Sequence, residues 1–489
     1  MDQIKVSGMR FLDEHGRERI LCGMNVVDKK DFDEKNPGYG YNADKFPFEE
    51  FRARGFDVIR LGFTWGAMEP KPGHYNQKLI DDLCAFLDKC EEYGIYAYLD
   101  CHQDVWSHTC YGDGAPRWAT LTDKYTPRKQ IAVWAEPYFF GKACFRAFDN
   151  FWDNVQYNRK GLQDYYADMW KNLVNAVKDK PALLGFDFFN EPHPGKDGGK
   201  IFRKIVTGVA KTAITDKRVN LLEMAKIGLF SDEKPKALDQ FPGEVFKKMS
   251  ESCNGIVENF DKNRYSPFLS KMATAVREVT DNGIMFMENN YYSNMGIPCC
   301  NEPVKVNGER ESQQVFAPHA YDLMVDTPAY KYANNSRVGM IFDEHRKTQL
   351  RLGVPCLVGE WGSCAEGDGW YPHIRFLQDK FDSYKWSNTY WCYFDDIFKQ
   401  DFMSVFTRPH PKAVTGEIIS YKYDHDDGEF KLKYNQTEKF KVPTVVYVDR
   451  NPKEIKCDGK YKIIDLPGNI GYDIEFKTGI GENKIEIEF

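Results

Sequence analysis

The chain has 489 residues, of which 42% are apolar and 28% charged, the balance of a soluble globular protein. Its net charge of −7 is not the basic footprint of a nucleic-acid binder, so no nucleic acid is expected among its partners. No run reaches the roughly 18 apolar residues that a membrane span needs.

Residues 4–22 predict a hairpin, with Val6, Met9 and Phe11 approaching a turn at Glu14–Gly16. A repeated grammar follows: a short apolar run, polar residues at its end, then a helical stretch. The runs are ILCGMNV (20–26), VIRLGF (58–63), YAYLDCH (96–102), LLGFDFFNEP (183–192), GIMFMEN (283–289), VFAPHAY (315–321), PCLVGEW (355–361) and NTYWCYFD (388–395). Between them, FPFEEFRARGF (46–56) and LIDDLCAFLDKCEEYG (79–94) run out at Gly55 and Gly94, a normal helix stop. YYADMWKNLVNAVKD (165–179) and FLSKMATAVREVTD (268–281) carry apolar residues at helical spacing. Continuous apolar strands alternating with helices imply a parallel sheet, and eight such units imply a closed (β/α)8 TIM barrel.

Two connections are oversized, 103–160 and 193–265. Within the second, KIFRKIVTGVAKTAITDKR (200–218) is basic and apolar with one acid, Asp216. That composition suits a lipid surface as well as a helix packed on the barrel. From about 408 the pattern alternates apolar and polar residues, predicting a small antiparallel β-sandwich. The expected domains are thus a barrel over 1–407, including the hairpin 4–22, and a sandwich over 408–489.

Charged residues gather where the apolar runs end: Arg60, Asp100, His102, Asp104, Asn190–Glu191, Glu288, His319, Glu360 and Asp395. Barrel enzymes keep their chemistry at these strand ends. Retaining glycoside hydrolysis needs two carboxyls about 5–5.5 Å apart, one to protonate the leaving oxygen and one to attack the anomeric carbon. Glu191 after the fourth run and Glu360 after the seventh supply such a pair. Glu288 is a third carboxylate without an assigned role, and His193 reads as a loop residue.

FFNEP with LVGEWG, together with Arg60 in VIRLGFTW, His102 in DCHQD, His319–Ala320–Tyr321 and Trp391, resembles glycoside hydrolase family 5 over residues 20–410. DCHQDVWS (100–107), GAPRWAT (114–120), FRAFDNFWDN (145–154) and FTRPHPKAVTG (406–416) look like its endoglycoceramidase group. The resemblance implies a retaining β-glycosidase that separates a glycan from a ceramide-like lipid. It implies Glu191 as acid/base, Glu360 as nucleophile and Asn190 on the sugar 2-hydroxyl. Arg60 and Tyr321 are then expected to hold Glu360, and His319 to lie near Glu191. His102, Asp104, Trp152 and either Lys29 or Lys30 are expected on the first sugar, with Trp391 as its floor.

The expected partner is a glycosylceramide-type lipid, met through transient contact with a membrane surface. Candidate walls for the lipid are Trp106, Trp118, Phe139, Phe140, Ile201, Phe202, Tyr291, Tyr292, Met295 and Phe398. A polysaccharide endo-β-glucanase or mannanase, a steryl-glucoside hydrolase and a non-catalytic glycan-binding barrel remain as alternatives. The 13 cysteines show no CxxC pairing or zinc spacing and read as free, mostly buried thiols, with a secreted chain holding a few bridges as the alternative; neither metal nor cofactor is expected. The N-terminal MDQIKVSGMRFLDEHGRERI holds no apolar stretch long enough for a signal peptide, which leaves the cytoplasm, or secretion with the signal removed.

Overall fold

All eight apolar runs are strands in the computed structural model, which describes every residue except 132, 221–240, 326–329 and 363–366. Barrel strands one to eight are Cys22–Val27, Val58–Thr64, Tyr96–His102, Leu183–Asp187, Ile284–Met287, Gln314–Phe316, Leu357–Val358 and Ser387–Tyr390. Neighbours in the chain pair in parallel, and strand eight returns to strand one. Strands six and seven close the ring through backbone bridges between Phe316 and Cys356 and between His319 and Glu360. Side chains fill the interior: Tyr98 and Phe286 stack with ring centroids 4.1 Å apart among Val58, Leu184, Val315 and Leu357.

The helices follow the predicted periodicity. Gln77–Glu92 starts where the Asn76 side chain accepts the Leu79 N–H and stops before Gly94, whose φ is +68°. Its buried stripe is Leu79, Ile80, Leu83, Phe86, Leu87 and Cys90. The oversized connections carry helices of their own, among them Glu136–Phe140, Lys142–Trp152, Lys196–Thr215 and Gly243–Ser250.

The C-terminal part forms two antiparallel sheets packed face to face around Tyr421, Phe430, Leu432, Val446, Ile474 and Ile485. A buried two-pronged pair, Arg408 with Asp382 at 2.7 Å on each prong, ties this part to the barrel helix Tyr371–Tyr384. The N-terminal hairpin departs from expectation. It is three short strands, Lys5–Ser7, Arg10–Leu12 and Glu18–Arg19, and they extend the C-terminal seven-stranded sheet by pairing with His410–Val414. The barrel strands are already paired on both sides, so an added strand finds free backbone groups only at a sheet edge. Ile4 and Phe11 from the same hairpin pack under the barrel interior and close its base. The 12 described cysteines are all free, and no described helix is long and apolar enough to cross a membrane.

Candidate active site

The centre of the site is Arg60, fully buried on strand two. A buried guanidinium must have its N–H groups satisfied. Its Nε donates to Asp187 at 2.9 Å. Its Nη1 donates to Asn25 at 3.1 Å and Glu360 at 2.7 Å, and its Nη2 to Asn190 at 3.0 Å and Glu288 at 2.5 Å. Asp100 stands 3.0 Å from Nη2.

Glu360 therefore has one oxygen on Arg60 and the other accepting the Tyr321 hydroxyl at 2.9 Å. Gly359 must precede it, because a Cβ there would sit 2.6 Å from the His319 ring. Glu191 is also buried, but no cation among the described residues touches it. Asn294 donates to it at 2.6 Å, and His319 Nδ1 lies 3.2 Å away. Burial, helped by the charge of Asp104, pushes the Glu191 carboxyl up to about 7. Its backbone φ is +42°, a left-handed conformation held by an N–H bond to Glu288 at 2.7 Å. His319 faces both carboxyls, 3.6 Å from Glu360, and burial pushes its ring down to about 3, so it is neutral. Donor atoms of Glu191, His319 and Glu360 all lie within 4.8 Å of one another.

A second network lies on strand three. His102 Nδ1 meets Asp100 at 2.8 Å, and its Nε2 is 3.5 Å from Asp104. Burial alone would favour the neutral ring, but the two aspartates outweigh it and raise His102 to about 9. Burial likewise opposes ionisation of Asp104, yet Lys29 and His102 hold it below the usual carboxylate range. Lys29 lies 4.6 Å over the Trp391 ring, and His102 stacks on the same indole at 5.3 Å. Burial and the neighbouring Asp104 push Asp113, which caps the Asp104 N–H, up to about 7. The clusters His102–Asp104–Asp113 and Asp100–Asp187–Glu288 have metal-like spacing, but Lys29 and Arg60 supply the positive charge there.

These groups open onto a cavity of about 530 Å3. Lys29, His102, Asp104, Asn190, Glu191, Tyr321, Glu360 and Trp391 form its polar side. Val133, Trp134, Phe139, Phe246, Met295, Leu323, Val325 and Ile341 form an apolar wall.

The structure thus gathers every expected site residue except two. Lys30 turns away to Asp28, 3.3 Å from its Nζ, and does not line the cavity. Trp152 is buried among Phe189, Phe260 and Phe268, with its indole N–H on the His193 carbonyl, so it has no face left for a sugar. Of the expected lipid walls, Phe139, Tyr291 and Met295 reach the cavity. Trp106, Ile201 and Tyr292 are buried in loop cores, Phe140 is at the surface, and Trp118, Phe202 and Phe398 do not line the cavity. His193 is indeed a packing residue, stacked against Tyr138. Sequence reasoning missed Asn294, Trp134, Phe246, Leu323, Val325 and Ile341.

The model of cellulase, glycosyl hydrolase family 5, matches residues 13–220 and 245–396, and that of the family 5 C-terminal domain matches 408–466. An endoglycoceramidase of Cyanea nozakii is 32% identical over 213 residues, 38% of this chain and 41% of the relative. Endoglycoceramidase I of Rhodococcus hoagii is 23% identical over 457 residues, 91% of this chain and 79% of the relative. The chain thus spans less than half of the length of the Cyanea protein. Endo-glycoceramidase II from Rhodococcus sp., solved as a ganglioside GM3 complex, superposes with a TM-score of 0.73 at 18% identity over 99% of both chains. The chain belongs to glycosyl hydrolase family 5.

Proposed function

We propose that the chain is a retaining β-glycosidase that cleaves between a sugar or oligosaccharide and a ceramide-like lipid. One observation carries the reading: two buried carboxyls in unlike surroundings, within 4.8 Å, at the junction of a polar floor and an apolar wall. Glu360, held by Arg60 and the Tyr321 hydroxyl, attacks the anomeric carbon and forms a glycosyl ester. Glu191, kept protonated by burial, gives its proton to the departing oxygen of the lipid alcohol. A water then enters, Glu191 takes a proton from it, and the resulting hydroxide displaces Glu360 with net retention. An oxygen of each carboxyl lies within 4.8 Å of the other, which supports a retaining pair over the wider separation that inversion needs. Lys29, His102 and Asp104 offer charged hydrogen bonds to sugar hydroxyls above the Trp391 face.

The apolar wall and the endoglycoceramidase relatives favour a lipid aglycone over a polysaccharide. The test compares kcat/KM for a glycosylceramide, a steryl glucoside and the same sugar on a small hydrophilic alcohol, with detergent held constant. A preference of at least tenfold for the ceramide glycoside is expected. Equal values would remove the lipid reading and leave a general β-glycosidase.

Contact with a membrane surface belongs to the same proposal. Val133 and Trp134 at the cavity mouth are exposed, and so is Phe140, which rests on Phe202 of the helix Lys196–Thr215. Val206 and Ile214, four and twelve residues beyond Phe202 on that helix, are 51% and 77% exposed, beside the exposed cations Lys200, Arg203 and Lys211. Apolar side chains flanked by cations suit an anionic lipid surface. Sedimentation with anionic vesicles is expected, and weaker sedimentation after Val206→Glu with Ile214→Glu; no sedimentation of the unaltered chain would contradict it.

A further inference from the structure

Four buried carboxyls surround Arg60: Asp100, Asp187, Glu288 and Glu360. Asp100 has a second cation in His102, and Glu360 has the Tyr321 hydroxyl. Among the described residues Asp187 and Glu288 have Arg60 as their cation, and their carboxyls lie side by side on it, an oxygen of each within 4.8 Å. Ionised carboxylates only accept, so a bond between two carboxyls requires a proton. Asp187 Oδ1 is buried and receives no N–H or O–H from any other described group. Two bare carboxylates in contact away from water cannot both ionise. Burial, then the repulsion of Asp187, pushes Glu288 well above the usual range; burial, against the attraction of Arg60, raises Asp187 to about 6.

Among the described residues, the titratable groups facing the pair are Arg60 and Tyr98, Asp100 and His102 from strands two and three, and Glu191 beyond strand four. His319 and Glu360 face it from the other side, and Tyr265 from the turn at 261–265. Arg60 and His102 are the cations of this group, and His102 is engaged by Asp100.

We propose that Asp187 and Glu288 share a single proton and act as a buried monoanion that positions both catalytic carboxyls. This rests on the reading of Glu191 as the acid/base. Glu288 Oε2 accepts the Glu191 main-chain N–H at 2.7 Å and so fixes its left-handed backbone. Glu288 Oε1 and Asp187 Oδ2 grip Nη2 and Nε of Arg60, which aims Nη1 at Glu360. With one negative charge on the pair instead of two, more of the guanidinium charge is left to Glu360. Glu288 reaches the chemistry through Glu191 and Arg60, so it is a positioning residue.

The pH profile separates this from a merely structural role. Glu288→Gln leaves one negative charge, on Asp187: kcat is expected to fall, because the amide has one oxygen and its NH2 cannot accept the second N–H that Glu288 now takes. The alkaline limb of kcat/KM, set by Glu191, is expected to stay in place. Asp187→Asn combined with Glu288→Gln removes the charge, and the limb is expected to move to lower pH. If Glu288→Gln alone moved the limb by about half the double variant's shift, the pair held two charges, and if it moved it as far, the one charge sat on Glu288 alone; either result overturns the proposal. If the double variant did not move it, the pair held none and the proposal falls equally. Neutron diffraction from deuterium-exchanged crystals of the unaltered chain reads the proton directly, without substrate. One deuteron between the two carboxyls is expected; none, or two, overturns the proposal. A chain that hydrolysed no glycoside but showed that deuteron would refute the acid/base reading and leave the shared proton standing.

Discussion

Glu191→Gln should stabilise the fold in a pH-dependent way. Burial raises this carboxyl from an ordinary value of 4.5 to about 7. A group that binds its proton more tightly when folded lends stability that is complete below its unfolded value and lost as pH rises through its folded one. The window therefore runs from about 4.5 to about 7. Each unit of displacement corresponds to about 1.4 kcal/mol, so the stability lost across the window is about 3 kcal/mol. Unfolding entropy of roughly 2 cal/mol/K per residue over 489 residues converts this to about 3 °C in Tm. Glutamine cannot ionise and lacks the slope. Asp113, Asp187 and Glu288 titrate in both proteins, and their contributions cancel in the difference. Thermal melts at about pH 4.5 and about pH 8.5 should show the variant gaining about 3 °C on the parent at the higher pH. A difference that stayed constant with pH would show that Glu191 is not held protonated by the fold.

Arg60→Met strands four buried carboxyls without their shared cation, and should cost about 3–5 kcal/mol, read as a lowered Tm together with loss of turnover. Lys29→Met should lower kcat/KM by about a hundredfold, since two charge-assisted contacts to Asp104 and sugar are lost; Lys30→Met should leave kcat/KM within about threefold. Leu323→Asn and Met295→Gln each remove on the order of 60 Å2 of apolar wall, about 1.5 kcal/mol, so kcat/KM for a lipid glycoside should fall about tenfold. The fall for a soluble aryl glycoside should be much smaller.

The barrel was legible because its strands are buried on both faces and read as unbroken apolar runs, against which a terminal charge stands out. Asp100, Glu191 and Glu360 stood out in that way, whereas Arg60 lies inside its strand, Val58–Thr64. What failed was whatever depends on how a loop travels. Trp134 and Trp152 stand in the same long connection. Trp152 ends a helix whose buried side also carries Ala147, Phe148 and Phe151, and only the tertiary path turns Trp134 to the cavity. Lys29 and Lys30 are adjacent just past strand one, yet one meets Asp104 and the other Asp28, so a one-residue register decides between them. The hairpin pairs with a strand near the other end of the chain, for which nothing local gives a signal. Asn294 lies in a 3-10 turn, Tyr291–Met295, without periodicity.

The central claim is that Glu360 attacks the sugar, and a 2-deoxy-2-fluoro glycoside with a good leaving group tests it most directly. Incubation followed by peptide mass spectrometry should show one fluoroglycosyl group per chain, on the peptide carrying Glu360, and none in Glu360→Gln. A label on another carboxylate, or turnover of the parent with no covalent intermediate under any condition, would contradict the mechanism.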